Sequence, residues 1–370
     1  MMLDEFKLER YFAQHEFSAP YLLCSSDCES MELRDLLSFE PGAQDRLASL
    51  WLGYTESLGN PELRQAITTL YECVTADQVI VHAGAEEAIF NFMNVALSAG
   101  DQVIVHAPYY QSLGEVARGI GAEVFEWHGN PERIWELDIE VLKNALTART
   151  KVVIVNFPHN PTGFLPTSEF VHELSALSDQ HGFVIFSDEV YRGLELDQSD
   201  RLPAFADINE RAVSLGVMSK TYGLAGLRIG WIATRDNSLF RKLAAFKDYT
   251  TICNSAPSEF LATLALRHAK VIVERNLQII RENLNRLDLF FDSHTEMFTW
   301  YRPKAGSIAF PRLLWGHIDE FCADLVKKTG VLLLPGTLYG SEFNSFRIGF
   351  GRRNMPESLE RFETYITESR

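Results

Sequence analysis

Three short segments hold the residues best suited to chemistry, and each follows a run of apolar residues. In Ser219-Lys220-Thr221-Tyr222-Gly223-Leu224-Ala225-Gly226-Leu227-Arg228, a lysine stands between two apolar runs that read as strands. Taken singly it would be a surface lysine, but the carboxyl end of a parallel strand is where open α/β sheets place ligands. Arg228 lies beyond a glycine-rich turn and could fold back to bind an anion beside the lysine. Asn156-Phe157-Pro158-His159-Asn160-Pro161-Thr162-Gly163 follows a second apolar run. Alone, it is a proline-fixed turn. Ser187-Asp188-Glu189-Val190-Tyr191 follows a third, where an acidic residue could simply cap the next helix. Three such clusters at strand ends weaken the purely structural readings together.

The elements that must position them are legible as rhythm. Val79-Ile80-Val81, an amphipathic stretch from Gly84 to Leu97, and Val103-Ile104-Val105 read as a β-α-β unit. The rhythm returns with a strand over 151–156, a helix over 168–180 and a strand over 183–186, then further strands over 212–217 and 229–233. Apolar runs alternating with helices predict a mostly parallel sheet covered by helices on both faces, an α/β fold. Earlier, a helix is expected around 31–39, and another over 61–71 opened by Pro61. A helical pattern over 255–291 reads as one long connecting helix. Short strands over 307–310, 331–334 and 346–350, mixed with helices over 318–328 and 356–367, predict a smaller α+β domain at the end. The expected division is an N-terminal segment 1–50 belonging to the small domain, a large domain 51–275, and a C-terminal small domain 276–370.

Length and composition agree with that picture. The chain has 370 residues, 46% hydrophobic and 23% charged, which is ample for a buried core. Its formal charge of -16 disfavours nucleic acid and anionic membranes as partners. The charged start and the absence of a long apolar run lead to the expectation of a cytoplasmic protein. Five scattered cysteines, Cys24, Cys28, Cys73, Cys253 and Cys322, read as free thiols, and no ligand spacing predicts a metal site.

The order and spacing of these motifs resemble the class I/II aminotransferases, enzymes of the fold type I, aspartate-aminotransferase-like architecture that use pyridoxal 5'-phosphate (PLP). The resemblance rests on Asn160-Pro161-x-Gly163, Asp188-x-x-Tyr191, and Ser219-Lys220 with Arg228. Further matches are Tyr54-Thr55, Gly59-x-Pro61-Glu62-Leu63-Arg64, Gly84-Ala85-Glu86, Ala107-Pro108-Tyr109-Tyr110, Pro335-Gly336 and Phe346-Arg347-Ile348. It implies that Lys220 carries the cofactor as an aldimine and moves a proton at the substrate α-carbon. Asp188 would pair with the ring nitrogen, Tyr191 and Asn160 with the ring's phenolic oxygen, and Tyr110 would stack on the ring. The phosphate would be held by the turn Gly84, Ala85 and Glu86 at a helix N-terminus, by Ser219 and Arg228, and by Tyr54 of a neighbouring subunit. A homodimer with shared active sites is therefore implied. The side chain of Glu86 is expected to face solvent while its backbone binds. Arg347 would grip the substrate α-carboxylate, with Asn160 beside it and Ser26 nearby.

Two positions depart from the family pattern. Val217 stands where a phosphate-binding Ser or Thr is often found, three residues before the lysine. The segment that usually supplies a glycine near the substrate carboxylate is not evident, and Cys24-Ser25-Ser26-Asp27 is the candidate. The resemblance implies transamination between an amino acid and a 2-oxo acid. Phe157-Pro158-His159-Asn160-Pro161, Gly226-Leu227-Arg228 and Arg347-Ile348-Gly349-Phe350-Gly351 are also similar to the branch containing capreomycidine synthase. That makes a lyase, decarboxylase or cyclase the alternative. A non-catalytic PLP-binding module is disfavoured because Lys220, Asp188, Arg228 and Arg347 are all kept. A nicotinamide-binding fold would want Gly-x-Gly-x-x-Gly, which Gly84-Ala85-Glu86-Glu87 does not supply.

Overall fold

The structure, a computed structural model, describes residues 2–340 and 342–368. Its helices are α1 (Lys7–His15), α2 (Leu33–Leu37), α3 (Ala43–Ala48), α4 (Pro61–Thr68), α5 (Ala85–Ala96), α6 (Ser112–Ile120), α7 (Ile139–Ala145), α8 (Ser168–His181), α9 (Phe205–Ile208), α10 (Asn237–Lys247), α11 (Ala256–Arg267), α12 (Ala269–Asp292), α13 (Ile318–Thr329) and α14 (Met355–Glu368). The central sheet is built from β2 (Val79–His82), β3 (Gln102–Ala107), β4 (Glu123–His128), β5 (Thr150–Asn156), β6 (Val184–Asp188), β7 (Val213–Val217) and β8 (Gly230–Thr234), after a short β1 (Tyr21–Leu22). The seven strands lie in the order β2-β8-β7-β6-β5-β3-β4, all parallel except β8, which runs against both neighbours.

Alternate strand residues enter different cores, as a pleated sheet requires. Ile80, Val103, Val105, Ile154, Phe186 and Leu215 pack with α5, α6 and α10. Ile104, Val153, Val155 and Ile185 pack with α7 and α8, while Val79, Val81 and Trp231 pack with α4 and α11. Local signals start the helices where expected. Asn60 Oδ1 accepts from the backbone N–H groups of Glu62 (2.8 Å) and Leu63 (3.4 Å), with Pro61 in the first turn of α4.

Towards the C-terminus, β9 (Phe298–Thr299) pairs with β11 (Arg312–Leu313), while β10 (Ile308–Ala309), β14 (Phe346–Gly349) and β13 (Leu334–Pro335) form a three-stranded sheet in that order. The remaining strand, β12 (Val331–Leu332), pairs in parallel with β1, which ties the N-terminal segment to this C-terminal region. Among the described residues, no helix is long and apolar enough to cross a membrane.

Three expectations need correction. The segments 79–81 and 103–105 do not form adjacent strands of one β-α-β unit: β2 is an edge strand paired only with β8, and four strands separate it from β3. Periodicity reports strand and helix but not how far a connection crosses. The long helix over 255–291 is two helices that part at His268 (φ -111°). The His268 ring stacks on Phe39 (5.1 Å) and its Nε2 meets Glu40 (3.4 Å), so a tertiary contact breaks a locally uninterrupted pattern. The run 331–334 is likewise divided, its first half pairing with β1 and Leu334 with β14. The exposed edge strand β4 and helices α6 and α7 had no counterpart in the sequence reading.

Candidate active site

The carboxyl ends of β5, β6 and β7 lie side by side, with Asn156 opposite Asp188 in register and Asp188 opposite Leu215. The buried Asn156 amide joins two of the motifs: its Nδ2 donates to the Asp188 carbonyl (2.8 Å) and its Oδ1 accepts from the Asn160 N–H (2.7 Å). Alternation beyond β6 separates two neighbouring carboxylates. Glu189 turns away and accepts from Ser214 Oγ (2.7 Å) and the Phe205 N–H (2.9 Å). Asp188 instead lines a cavity of about 390 Å³. Its Oδ1 accepts from the Val190 N–H (3.2 Å), and no cation lies within ion-pair distance among the described residues. Burial pushes its carboxyl up to about 7, against the pull of the Lys220 charge.

Tyr191 shares this cavity at 1% exposure, and its hydroxyl has no hydrogen-bond partner of acceptable geometry, although Ser26 lies close by. The Lys220 amine donates to Ser26 Oγ (2.8 Å). Burial holds its pKa below the ordinary lysine range, with Asp27 and Asp188 acting in the opposite sense. Ser219 and Val217 also line the cavity.

At another wall, Gly84 (φ +96°) opens α5, and no side chain caps the first N–H groups of that helix. A Cβ at Gly84 would come within 2.7 Å of Arg228 Nη2, and one at Gly230 within 2.8 Å of the Ala85 nitrogen. Glycines at these two positions therefore let a helix N-terminus and a guanidinium approach each other, an arrangement suited to an anion. Arg228 pairs with no carboxylate among the described residues; it reaches only the Ala225 carbonyl (3.4 Å). Glu86 is exposed along the cavity mouth and accepts from Ser112 Oγ (3.2 Å). The surrounding protein still desolvates it enough to push its carboxyl up to about 7. Tyr110 lines the same wall, with its hydroxyl donating to Glu9 (3.1 Å).

Arg347, on β14, is 2% exposed. Its Nε donates to the Cys24 carbonyl (3.1 Å), and its Nη1 donates to Tyr339 Oη (2.8 Å) and Asn160 Oδ1 (3.4 Å). No carboxylate pairs with it among the described residues. Tyr339 was not anticipated. Its hydroxyl also donates to Asn160 Oδ1 (3.0 Å), joining the C-terminal sheet to the β5 turn. No motif marks it; only the tertiary meeting of Asn160 and Arg347 does. Equally unanticipated are Leu8, Glu9, Phe12 and Glu16 on and just after α1, and the pair Arg352–Asp27 (2.9 and 3.1 Å), all of which line the cavity.

The structure thus brings together Ser26, Gly84, Ala85, Glu86, Tyr110, Asn160, Asp188, Tyr191, Ser219, Lys220, Arg228 and Arg347. Tyr54 is not among them: it is 85% exposed and does not line the cavity of its own chain. A larger cavity, about 680 Å³, surrounds Arg192, Tyr222 and Lys270, but its arginines are engaged with the Leu70 and Leu196 carbonyls and with Glu195.

The cavity's unmet demands specify a ligand. Asp188 lacks a cation, Tyr191 lacks a hydrogen-bond partner, Arg228 and the α5 N-terminus lack an anion, and Lys220 is an amine of lowered basicity. A phosphorylated pyridine bearing a phenolic oxygen and an aldehyde meets all four, so these residues fit PLP.

Comparison with known proteins agrees. The sequence profile of the family described as aminotransferase class I and II matches residues 22–362. Capreomycidine synthase of Streptomyces vinaceus is 30% identical over 347 residues, covering 93% of this chain and 88% of that protein. A probable aspartate aminotransferase of Methanocaldococcus jannaschii is 28% identical, covering 85% and 84%. Among solved structures, a PLP-dependent aminotransferase from Streptococcus suis is 30% identical with a TM-score of 0.94, covering 100% and 99% of the two chains. The PLP-dependent cyclase OrfR, also 30% identical, gives a TM-score of 0.87 with 99% and 98% coverage.

Proposed function

Since this chain belongs to the class I and II aminotransferases and its cofactor is pyridoxal phosphate, we propose that it moves the amino group of an amino acid to a 2-oxo acid. The observation that carries this reading is the convergence of Lys220, Asp188 and Arg347 on one cavity. When bound, the cofactor supplies an electron sink that stabilises negative charge at the substrate α-carbon.

The chain's own residues supply the rest. Arg347, fixed by Cys24 and Tyr339, presents its guanidinium to the substrate α-carboxylate. That anchor orients the α-hydrogen. The Lys220 Nζ, whose buried site favours its neutral form, takes the α-proton and delivers it back on the far side of the transfer. Ser26 Oγ, already hydrogen-bonded to Nζ, steadies the amine between these events. Asp188 would accept from the protonated ring nitrogen, giving its buried carboxylate the partner it lacks. Tyr191 and Asn160 would donate to the phenolic oxygen, and Arg228 with the α5 N-terminus would hold the phosphate. Ser219, or a greater reliance on Arg228, would take the role that Val217 cannot. Two copies of the chain act together in this reading. Exposed Trp51, Leu52, Tyr54, Tyr249 and Ile252 support it, and the bond from Thr55 Oγ1 to the Asn254 carbonyl (3.1 Å) holds their two segments together.

A second reading, a lyase, decarboxylase or cyclase on the same scaffold, is favoured by one observation. The capreomycidine synthase and the OrfR cyclase share 30% sequence identity with this chain, the same figure as the Streptococcus suis aminotransferase. A single-turnover experiment separates the two. PLP-loaded protein is mixed with one amino acid at a time and no acceptor, and the products are identified. Release of one 2-oxo acid per site, reversed by added 2-oxo acid, is expected. Ammonia, carbon dioxide or a cyclised amino acid in its place would establish the second reading.

A further inference from the structure

We propose that Tyr339 is a positioning residue: its hydroxyl turns the donor end of the Asn160 amide towards the cofactor's phenolic oxygen, and so sets the pH range in which the bound cofactor keeps its proton. The proposal rests on the part of the reading above that gives Asn160 to that oxygen. Tyr339 does not line the cavity. It stands behind Asn160 and Arg347 and acts through them.

The bond directions among these three side chains are forced. A guanidinium only donates, so both groups that meet Arg347 Nη1 must accept. One is Tyr339 Oη (2.8 Å), and the other is the end of the Asn160 amide at 3.4 Å, which must therefore be Oδ1. With its oxygen accepting from Arg347, Tyr339 spends its own proton on the same Asn160 Oδ1 (3.0 Å). Burial raises the Tyr339 hydroxyl above its ordinary range, so that proton stays in place. Asn160 Oδ1 is thus filled twice. Its Nδ2 has no partner among the described residues and is the end left for the cavity that Asn160 lines.

Of the two bonds that orient the amide, the one from Tyr339 is the shorter, and the 3.4 Å bond from Arg347 alone would hold it loosely. The relay also adds strength. A hydroxyl polarised by a guanidinium is a better donor to the amide oxygen, and a more polarised amide is a better donor through Nδ2. Distant packing places Tyr339 for this task. Strand β13 pairs with β14, Leu334 lies opposite Arg347, and the turn Gly336–Leu338 then delivers Tyr339 to the guanidinium. The ring stands edge-on to Phe310 (5.8 Å) and packs against the cluster of Leu8, Cys24, Leu332 and Leu334.

The test is a pH titration of the visible absorption of the PLP-loaded protein, which needs neither substrate nor turnover. When the bound cofactor gives up its proton, negative charge rests on the phenolic oxygen. Donors at that oxygen lower the midpoint, and their loss raises it. Tyr339→Phe keeps the ring and removes only the hydroxyl; it should raise the midpoint by about half a pH unit or more, and Asn160→Ala by at least as much. Because Tyr339 acts through Asn160, adding Tyr339→Phe to Asn160→Ala should move the midpoint no further. The titratable neighbours of Tyr339 are Arg347, Cys24, Tyr110 and Tyr191, and Glu86, Asp188, Lys220 and Arg228 line the cofactor cavity. All of these are the same in every variant, so a difference belongs to the altered side chain. A midpoint unchanged or lowered in Tyr339→Phe, or a further rise in the double variant, would overturn the assignment. A Tyr339→Phe protein that no longer holds PLP would overturn it too, since the hydroxyl would then serve the fold. If Asn160→Ala leaves the midpoint where it was, the placement of Asn160 on the phenolic oxygen falls and Tyr339 with it. Aminotransfer itself is decided separately, by the single-turnover products.

Discussion

The floor and the roof of the cavity are made by different means. Asp188 ends β6, Asn160 and Lys220 sit on the turns that leave the adjacent parallel strands, and Asn156 bonds the β5 turn to the end of β6. The roof is α1, nine residues long, whose Glu9 is exposed and whose Glu16 is half-buried. Floor side chains are placed by a seven-stranded sheet and cannot move without disturbing it. Roof side chains are placed by one short helix resting on its neighbours. The contrast is a division between the groups that the proposed reaction uses, fixed by the sheet, and lining groups carried by a single helix. It follows the general pattern in which function varies on segments carried by a rigid scaffold.

The hardest test of that division is Lys220→Ala. If the floor sets the reaction, turnover should fall at least about a thousandfold for every amino acid alike, with PLP still bound. Near-normal steady-state rates would break the comparison outright. Arg347→Ala probes the wall between the two regions. Losing charge-assisted bonds worth about 2–3 kcal/mol should raise the amino-acid KM roughly 30- to 150-fold, with cofactor affinity retained. Unchanged kinetics would remove Arg347 from the site.

The smallest effect concerns stability and carries a sign. Asp188 titrates near about 4 when unfolded and about 7 in the fold, so the folded protein binds the extra proton. A raised carboxyl pKa means that its burial costs nothing at low pH and costs progressively more as pH rises through that window. Asp188→Asn should therefore raise the Tm of the cofactor-free protein by about 2–4 °C at pH 8 and by less at pH 5, while weakening PLP binding. A scanning-calorimetry result with no pH dependence, or with the larger gain at pH 5, would show that the floor carboxylate is better solvated than its surroundings indicate.

Legibility in the sequence divides along the same line. Strand-end motifs could be read because a parallel sheet places successive strand ends on one edge, so short local patterns become neighbours in space. Gly84 and Arg228 could be read because a glycine-opened helix and a fixed arginine are local features too. Tyr339 and the Asp27–Arg352 pair could not, because each owes its place to a partner far away along the chain. The break at His268 escaped for a similar reason: it depends on Phe39 and Glu40, not on a helix-breaking residue.

By itself, then, the sequence determined the α/β architecture and the strand-end set around Lys220, since periodicity and turn chemistry act over a few residues, and the family resemblance of those motifs implied the cofactor. Only the tertiary structure decided that β1 would pair with β12, that α1 would line the cavity, and that Phe12 would lie against the anchor Arg347. Those outcomes depend on packing between distant segments. An amphipathic helix with a charged stripe carries no local record of the surface on which it will rest.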